Sequence, residues 1–258
     1  MDTAVWTVYL CFWLGVLGAV LGSFFHCAAG RWAAGEPPFA GRSRCGSCGR
    51  VLGAGELVPV LSFLLQRGRC RGCGEKIPPG CLWAELAGLL GGLCLGSSIG
   101  PRRELGMWAV WGVALLAVSL ADAARRIIPD QLLLVLAVNR LVWLPLLGEE
   151  ARGAALSALG GCAVAAALLA LVLAGEKLTG RELMGGGDIK LMFVLGLYFD
   201  WPRQLLTLLA GCLLGLAWAA GSGKKKGIAI PFGPFLAAGA AATLCFGGPL
   251  VNWYLNLF

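Results

Sequence analysis

The first apolar run of the chain decides the class of protein to which it belongs. Residues 3–29 read TAVWTVYLCFWLGVLGAVLGSFFHCAA, with no acidic residue, lysine or arginine among them. A cleaved signal peptide has a basic start and a shorter apolar core, and this run has neither. At about 1.5 Å per residue a helix of this length crosses the roughly 30 Å hydrocarbon core of a bilayer. We therefore expect a retained transmembrane helix.

The composition extends this expectation to the whole chain. Hydrophobic residues make up 58% of the 258 residues and charged residues only 14%, against about 25% charged in ordinary soluble domains. Seven more apolar runs follow the first, at 81–99, 105–121, 131–147, 153–174, 189–199, 204–220 and 228–257. The expected fold is an all-α polytopic membrane protein with about eight transmembrane helices and a polar loop domain after the first of them.

The lysines and arginines predict the orientation in the membrane. If the polar segment 31–76 lies inside and the spans alternate, 16 of these residues fall inside and 4 outside. Positive residues mark the cytosolic side, so we expect the N-terminus outside and the large loop in the cytosol. The same pattern accounts for the net charge of +7. Membrane lipid is the expected partner, and nucleic acid is not.

Four cysteines in the polar segment have metal-ligand spacing. Cys45 and Cys48 are separated by two residues, as are Cys70 and Cys73. Two such knuckles bring four thiolates to one tetrahedral Zn²⁺, a closed and therefore structural site. The alternatives are two disulfides or free thiols, and a reducing cytosol disfavours disulfides. We therefore expect bound zinc, in a small cytosolic zinc-ribbon-like loop domain.

Two aspartates at the ends of predicted spans are the candidates for chemistry. Asp122 ends the third span, and Asp188 opens the sixth after three glycines. The topology places both at the cytosolic boundary, where carboxylates are expensive and usually functional. Two carboxylates that share a water can divide the roles of base and acid. Spacing alone also allows a helix N-cap for Asp188.

Two further carboxylates are candidates for a functional role, one of them as an alternative member of this pair. Asp130 follows Pro129 at a helix start and is the main rival to either aspartate. Glu85 lies inside the second predicted span, where it is either functional or the partner of a buried polar group.

Five ordered motifs resemble the type IV prepilin peptidases, the bifunctional leader peptidase/N-methyltransferases. They are Gly22-Ser23-Phe24-Phe25, the cysteine segment from Ser43 to Leu90, Asp122 with Ile128-Pro129-Asp130, Met184 to Leu191 with its Gly-x-Gly-Asp, and Pro231 to Leu236. The resemblance implies that Asp122 and Asp188 are catalytic and that Cys45, Cys48, Cys70 and Cys73 hold zinc.

The resemblance also implies a reaction and its substrates. Such enzymes remove the basic leader of type IV prepilins and pseudopilins after a glycine, at the cytosolic membrane face. They then methylate the new N-terminus with S-adenosylmethionine. The expected domains are a first transmembrane helix at 1–30, the zinc loop at 31–80, and a transmembrane aspartyl peptidase core at 81–258.

Three alternatives stay open at this point. The first is a broader Gly-x-Gly-Asp intramembrane protease. The second is a peptidase without methyltransferase activity, because His26 and the first knuckle depart from the family's usual residues. The third is a transporter or a zinc-nucleated scaffold, in which Asp122 and Asp188 would be dispensable for proteolysis.

Overall fold

The computed structural model describes residues 3–146, 151–180, 182–221 and 231–256, and these residues form helices joined by loops. The helices are α1 (Thr3–Ala33), α2 (Leu61–Leu65), α3 (Pro79–Ile99), α4 (Leu105–Arg125), α5 (Asp130–Trp143), α6 (Ala151–Thr179), α7 (Gly186–Gly196), α8 (Trp201–Gly221) and α9 (Gly233–Leu255). A short 3-10 turn lies at Ala54–Glu56.

Each of the eight predicted apolar runs is a helix, which confirms the all-α membrane fold. Six of them, α1, α3, α4, α6, α8 and α9, are long and apolar enough to cross a membrane. The other two are shorter: α5 has 14 residues, fewer than its run at 131–147 predicted, and α7 has 11, the length of its predicted run. At about 1.5 Å per residue they cover only part of a bilayer core.

Proline and glycine fix several of the helix ends. Pro79 is the first residue of α3, where its missing N–H loses no bond. Gly100 closes the same helix with φ at 62°, a left-handed value that suits glycine. Pro234 lies in the first turn of α9, and that helix continues through Pro249.

The chain divides into two compact units, residues 1–105 and 106–258. In the first unit, α1 and α3 pack closely through glycines. A Cβ atom added to Gly18 or Gly88 would meet the backbone of the other residue, and Gly22 is in similar contact with Ala84. Small residues at four-residue spacing let membrane helices approach closely without a driving force from water. The two helices therefore form an antiparallel hairpin.

In the second unit, α7 packs against α5, α6, α8 and α9. Its Leu191, Met192 and Leu195 are fully buried, as are Leu136 of α5 and Leu236 of α9. Gly161 of α6 and Gly196 of α7 lie against each other's backbone, so no side chain separates these helices. The short helix α7 is thus the centre of this unit.

A polar network holds α4, α5 and the end of α7 together. Asn139 donates to the carbonyl of Met107 at 3.0 Å and to the hydroxyl of Tyr198 at 2.9 Å. Tyr198 in turn donates to the carbonyl of Leu136 at 2.7 Å. The guanidinium of the buried Arg140 donates to the carbonyl of Leu197 at 2.9 Å. These bonds fix α7 relative to α4, the two helices that carry the candidate aspartates.

Some residues used in the sequence argument lie outside the described part of the chain. They are Leu147, Arg181, Lys224, Lys225, Lys226 and residues 228–230. The predicted domain boundaries at residues 30 and 80 stay a prediction.

Candidate active site and metal centre

Asp122 lies in the last turn of α4 and is buried, with 5% of its surface exposed. Its Oδ2 accepts a hydrogen bond of 2.9 Å from the backbone N–H of Gly233, the first residue of α9. The positive end of the α9 dipole favours a charge at this position. The carboxylate also interacts with the charge of Arg126, which follows α4 in a left-handed conformation with φ at 57°.

Asp188 lies in the first turn of α7, where the sequence allowed a capping role. The N-cap position belongs to Gly185, and no side chain makes a cap hydrogen bond there. Within the described residues, Oδ1 of Asp188 is buried and has no hydrogen-bond partner. A buried carboxylate oxygen without a donor is unusual and is the kind of group that a substrate or water engages. Capping therefore does not explain this residue.

The structure brings Asp122 and Asp188 together. The charges of the two carboxylates interact. The three glycines before Asp188 allow this approach, because a Cβ on Gly187 would lie 3.1 Å from Cβ of Ile128 in the α4–α5 connection. Two carboxylates this close do not both ionise readily, so one tends to hold a proton. Such an arrangement can supply an acid and a base without histidine or serine.

Asp130 takes a different position. It is exposed on the first turn of α5, and its Oδ1 accepts a hydrogen bond of 2.8 Å from Nζ of Lys190. This ion pair links α5 to α7 two residues beyond Asp188.

Glu85 is buried on α3 in the first unit, and its Oε2 accepts a hydrogen bond of 2.6 Å from the N–H of Val60. Glu85 is thus the partner of a backbone group.

The four loop cysteines form one cluster. Their sulfur atoms all lie within 4.8 Å of one another, and the Sγ atoms of Cys45 and Cys73 are 3.9 Å apart. A tetrahedral Zn²⁺ with bonds of about 2.3 Å to sulfur requires sulfur separations of about 3.8 Å. The cluster fits that requirement, and none of the four cysteines is in a disulfide.

The two knuckles have the same backbone geometry. In the first knuckle, the N–H of Cys45 donates to the carbonyl of Arg50, and the N–H of Gly49 donates to the carbonyl of Cys45. In the second, the N–H of Cys70 donates to the carbonyl of Glu75, and the N–H of Gly74 donates to the carbonyl of Cys70. Gly49 and Gly74 both have φ at 71°, so each chain reverses on a left-handed glycine. Both cysteines of each pair therefore point to one centre.

Local electrostatics favour a thiolate in this cluster. Backbone N–H groups of Cys73 and Gly72 stabilise the sulfur anion and lower the pKa of Cys70 to about 6. Arg50 interacts with the same sulfur and pairs with Glu56 at 2.6 Å. That guanidinium and the N–H of Gly53 hold the pKa of Glu56 below its usual range. Thiolate is the form that binds metal.

Comparison with known proteins places the chain in a family. Residues 16–97 match the bacterial peptidase A24 N-terminal domain, and residues 109–220 match the type IV leader peptidase family. The chain is similar to the prepilin leader peptidase/N-methyltransferase of Bacillus subtilis (strain 168), with 31% identity over 95% of this chain and 97% of the relative. The chain belongs to the type IV leader peptidase family.

Two other relatives carry the same name. The protein of Aeromonas hydrophila is 33% identical over 86% of this chain and 79% of its own length. That of Burkholderia pseudomallei (strain K96243) is 39% identical over 81% of this chain and 68% of its own length. No solved structure matches the chain.

The structure of this type IV leader peptidase family member adds residues that sequence reasoning did not assign. Gly233 donates to Asp122, although the sequence marked its Pro-x-Gly-Pro element only as a family motif. The Asn139, Arg140 and Tyr198 network was not predicted either. The available signal was a polar pair, Asn139-Arg140, inside an apolar run.

Proposed function

We propose that this chain removes the leader peptide of type IV prepilins and pseudopilins, cutting after a glycine with Asp122 and Asp188. The observation that carries the proposal is the pairing of the buried Asp122, at the end of α4, with the half-buried Asp188, at the start of α7. The relatives' name, prepilin leader peptidase/N-methyltransferase, supports the same substrate class.

The proposed hydrolysis needs only the two carboxyl groups and a water. The ionised carboxylate takes a proton from water as the water oxygen attacks the scissile carbonyl carbon, and the protonated carboxyl gives its proton to the carbonyl oxygen. The C–N bond then breaks as the leaving nitrogen takes the proton that the first carboxylate had accepted. One hydroxyl of the tetrahedral intermediate returns its proton to the second carboxylate as the carbonyl re-forms, so both groups regain their starting states. The N–H of Gly233 donates to Oδ2 of Asp122 and orients this carboxylate for its part in the reaction.

The proposed location is a bacterial inner membrane with the N-terminus outside. The six candidate spans support a multi-pass protein, and the charge count supports a cytosolic zinc loop and active site. A basic leader and its following apolar helix would then meet the enzyme at the cytosolic surface.

Zinc and a methyl donor are the proposed cofactors. Cys45, Cys48, Cys70 and Cys73 would hold Zn²⁺ as a structural ion, because four thiolates leave no open coordination position. S-adenosylmethionine would supply the methyl group for the new N-terminal amine. The described residues contain no strand with a glycine-rich loop, so they offer no Rossmann-type site for it.

Cleavage of a synthetic pilin leader by purified protein, with mass spectrometry of the new N-terminus, tests the proposal. The expected product begins at the residue after the glycine and gains 14 Da, one methyl in place of hydrogen, when the methyl donor is added. Unmethylated product under both conditions would support a peptidase without methyltransferase activity. Equal cleavage of transmembrane helices without a leader would support the broader intramembrane protease.

A further inference from the structure

The loop between α1 and α3 carries an apolar segment on its surface. Residues 57–65, here called the apolar tip, include α2 and read LVPVLSFLL. Five of their side chains are between 43% and 77% exposed, namely Leu57, Val58, Leu61, Leu64 and Leu65. Exposed apolar side chains clustered in one segment indicate a surface that binds a membrane or another protein.

A hydrogen bond fixes the depth of the apolar tip. The N–H of Val60 donates to Oε2 of Glu85 at 2.6 Å. Glu85 lies six residues after Pro79, the start of α3, which is about 9 Å along the helix axis. Because side chains on a helix lean toward its N-terminus, Val60 lies level with the first two turns of α3. The 21 residues of α3 span about 30 Å, the thickness of the hydrocarbon core.

A second contact places another loop residue at a similar depth. The ring of Phe39 stacks on Phe24 of α1 with centroids 5.9 Å apart, and Phe39 is itself 72% exposed. Gly22 lies against Ala84, and His26 lies against Gly80. Phe24, between them on α1, is therefore level with the first turns of α3. Two separate parts of the loop thus reach the depth of the spanning helices.

The backbone at Val60 is held in a strained conformation by the same bond. Val60 has φ at 63° and ψ at −54°, and the N–H of Leu61 donates to the carbonyl of Pro59 at 2.6 Å. This tight γ-turn is rare and costs more for a β-branched residue. The buried carboxylate of Glu85 accepts the N–H that the turn directs toward α3. Glu85 therefore fixes both the turn and the position of α2.

Charged residues border the apolar tip. Arg67, Arg69 and Arg71 follow it directly, and all three are exposed. An apolar face next to arginines is the pattern of segments that lie in the interface of a membrane with anionic lipids.

We propose that the apolar tip inserts into the bilayer that the helices span, at the boundary between the headgroups and acyl chains. Leu61, Leu64 and Leu65 face the acyl chains there, and the following arginines face anionic headgroups. The occupant of this surface is lipid. The inference does not depend on the proposed peptidase activity.

Depth-dependent quenching tests the insertion in the full-length, zinc-loaded protein. An environment-sensitive fluorescent amino acid is placed at Leu65 by amber suppression, or at Ser47 in the first knuckle as the control. The protein is reconstituted in phosphatidylcholine vesicles with 30% phosphatidylglycerol, with or without bromine on the acyl chains. We expect bromine to quench the label at Leu65 at least about threefold more strongly than the label at Ser47. Equal quenching at both positions, or none at either, would overturn the proposal.

A variant tests the role of Glu85. In Glu85→Ala the N–H of Val60 loses its acceptor, so quenching at Leu65 should fall to less than half of its value. The zinc content should stay at one ion per chain, which shows that the loop is still folded. Unchanged quenching in a zinc-loaded variant would show that Glu85 does not set the depth of the tip.

Discussion

The backbone N–H of Gly233 donates a hydrogen bond of 2.9 Å to the Oδ2 of Asp122, although 111 positions separate the two residues. A Cβ atom at Gly233 would lie 2.9 Å from the same oxygen. The first turn of α9 therefore orients this carboxylate and leaves no room for a side chain.

Substituting Gly233 by alanine should displace the Asp122 carboxylate. We expect Gly233→Ala to lower kcat for leader cleavage by about 10²-fold, as misplacement of a reacting group by about 1 Å does. Gly248→Ala on the same helix is the control, because the nearest atom to its Cβ is Nη2 of Arg203 at 3.7 Å. Equal rates in the two variants would show that the close approach at Gly233 is not needed.

Removing either carboxylate should stop cleavage. We expect Asp122→Asn and Asp188→Asn each to lower the rate of leader cleavage by about 10²–10⁴-fold or more, because an amide cannot exchange a proton as base or acid. Asp130→Asn is the matched control, since Asp130 is exposed and paired with Lys190; it should cleave at nearly the normal rate. Retained cleavage in Asp122→Asn or Asp188→Asn would refute the pair assignment.

The purified protein should hold about one zinc ion per chain, the stoichiometry of a single four-thiolate site. We expect Cys45→Ser to lower the zinc content and to increase proteolysis of the loop at 31–80, because metal binding there is part of the folding free energy. Cys212→Ser, which changes an exposed cysteine on α8, should keep its zinc. Elemental analysis of reduced protein gives the answer, and a zinc content near zero in the unaltered chain would contradict the site.

The polar network around Asn139 should stabilise the second unit. Asn139→Leu removes the donors to Met107 and Tyr198, so we expect a loss of about 1–2 kcal/mol in the free energy of unfolding. Asn252→Leu, at an exposed position of α9, is the control. Unfolding in mixed detergent micelles compares the two. Equal stability would mean that the network only orients its helices.

Recognition of the basic leader should rest on a few glutamates, because the loops predicted to be cytosolic are themselves basic. Four glutamates are candidates, namely Glu56 and Glu75 in the loop and Glu176 and Glu182 before the glycine run. Glu56 is bound to Arg50, which leaves the other three. Oε1 of Glu176 accepts the N–H of Leu183 at 3.1 Å, so it holds the segment before Asp188.

We expect Glu176→Gln with Glu182→Gln to raise KM for a lysine-containing leader, with kcat unchanged, and the effect to fade at high salt. Exposed pairs contribute about 0–1 kcal/mol, so the rise is at most about fivefold per charge. A leader without its lysines is the control. An equal change in KM for both leaders would show that these glutamates do not bind the lysines of the leader.

Local sequence pattern predicted the helices and the cysteine cluster because both depend on spacing. Apolar length identified the spans, and two Cys-x-x-Cys pairs identified the four-sulfur cluster. The pairing of Asp122 with Asp188 followed from topology, since both lie at span ends on one side. The apolar run at 189–199 also predicted a short sixth helix, but it placed that helix three residues late, because α7 begins in the glycines before Asp188 and ends at Gly196.

Tertiary contacts were the part that sequence could not predict. The bond from Gly233 to Asp122 joins distant segments through a backbone group, which has no residue-type signal. The γ-turn at Val60 is similar, because a β-branched residue is the last type expected at positive φ. Only the fold brings Glu85 to that N–H group.

The glycine contacts between α1 and α3 have a consequence for the order of synthesis. Every partner in them, from Cys11 with Gly96 to His26 with Gly80, lies in the first 100 residues. The hairpin can therefore assemble while the ribosome is still making residues 106–258. The loop between α1 and α3 would then be held at both ends by packed helices. Its four cysteine thiols could bind a metal ion before α7, the helix that carries Asp188, has been translated.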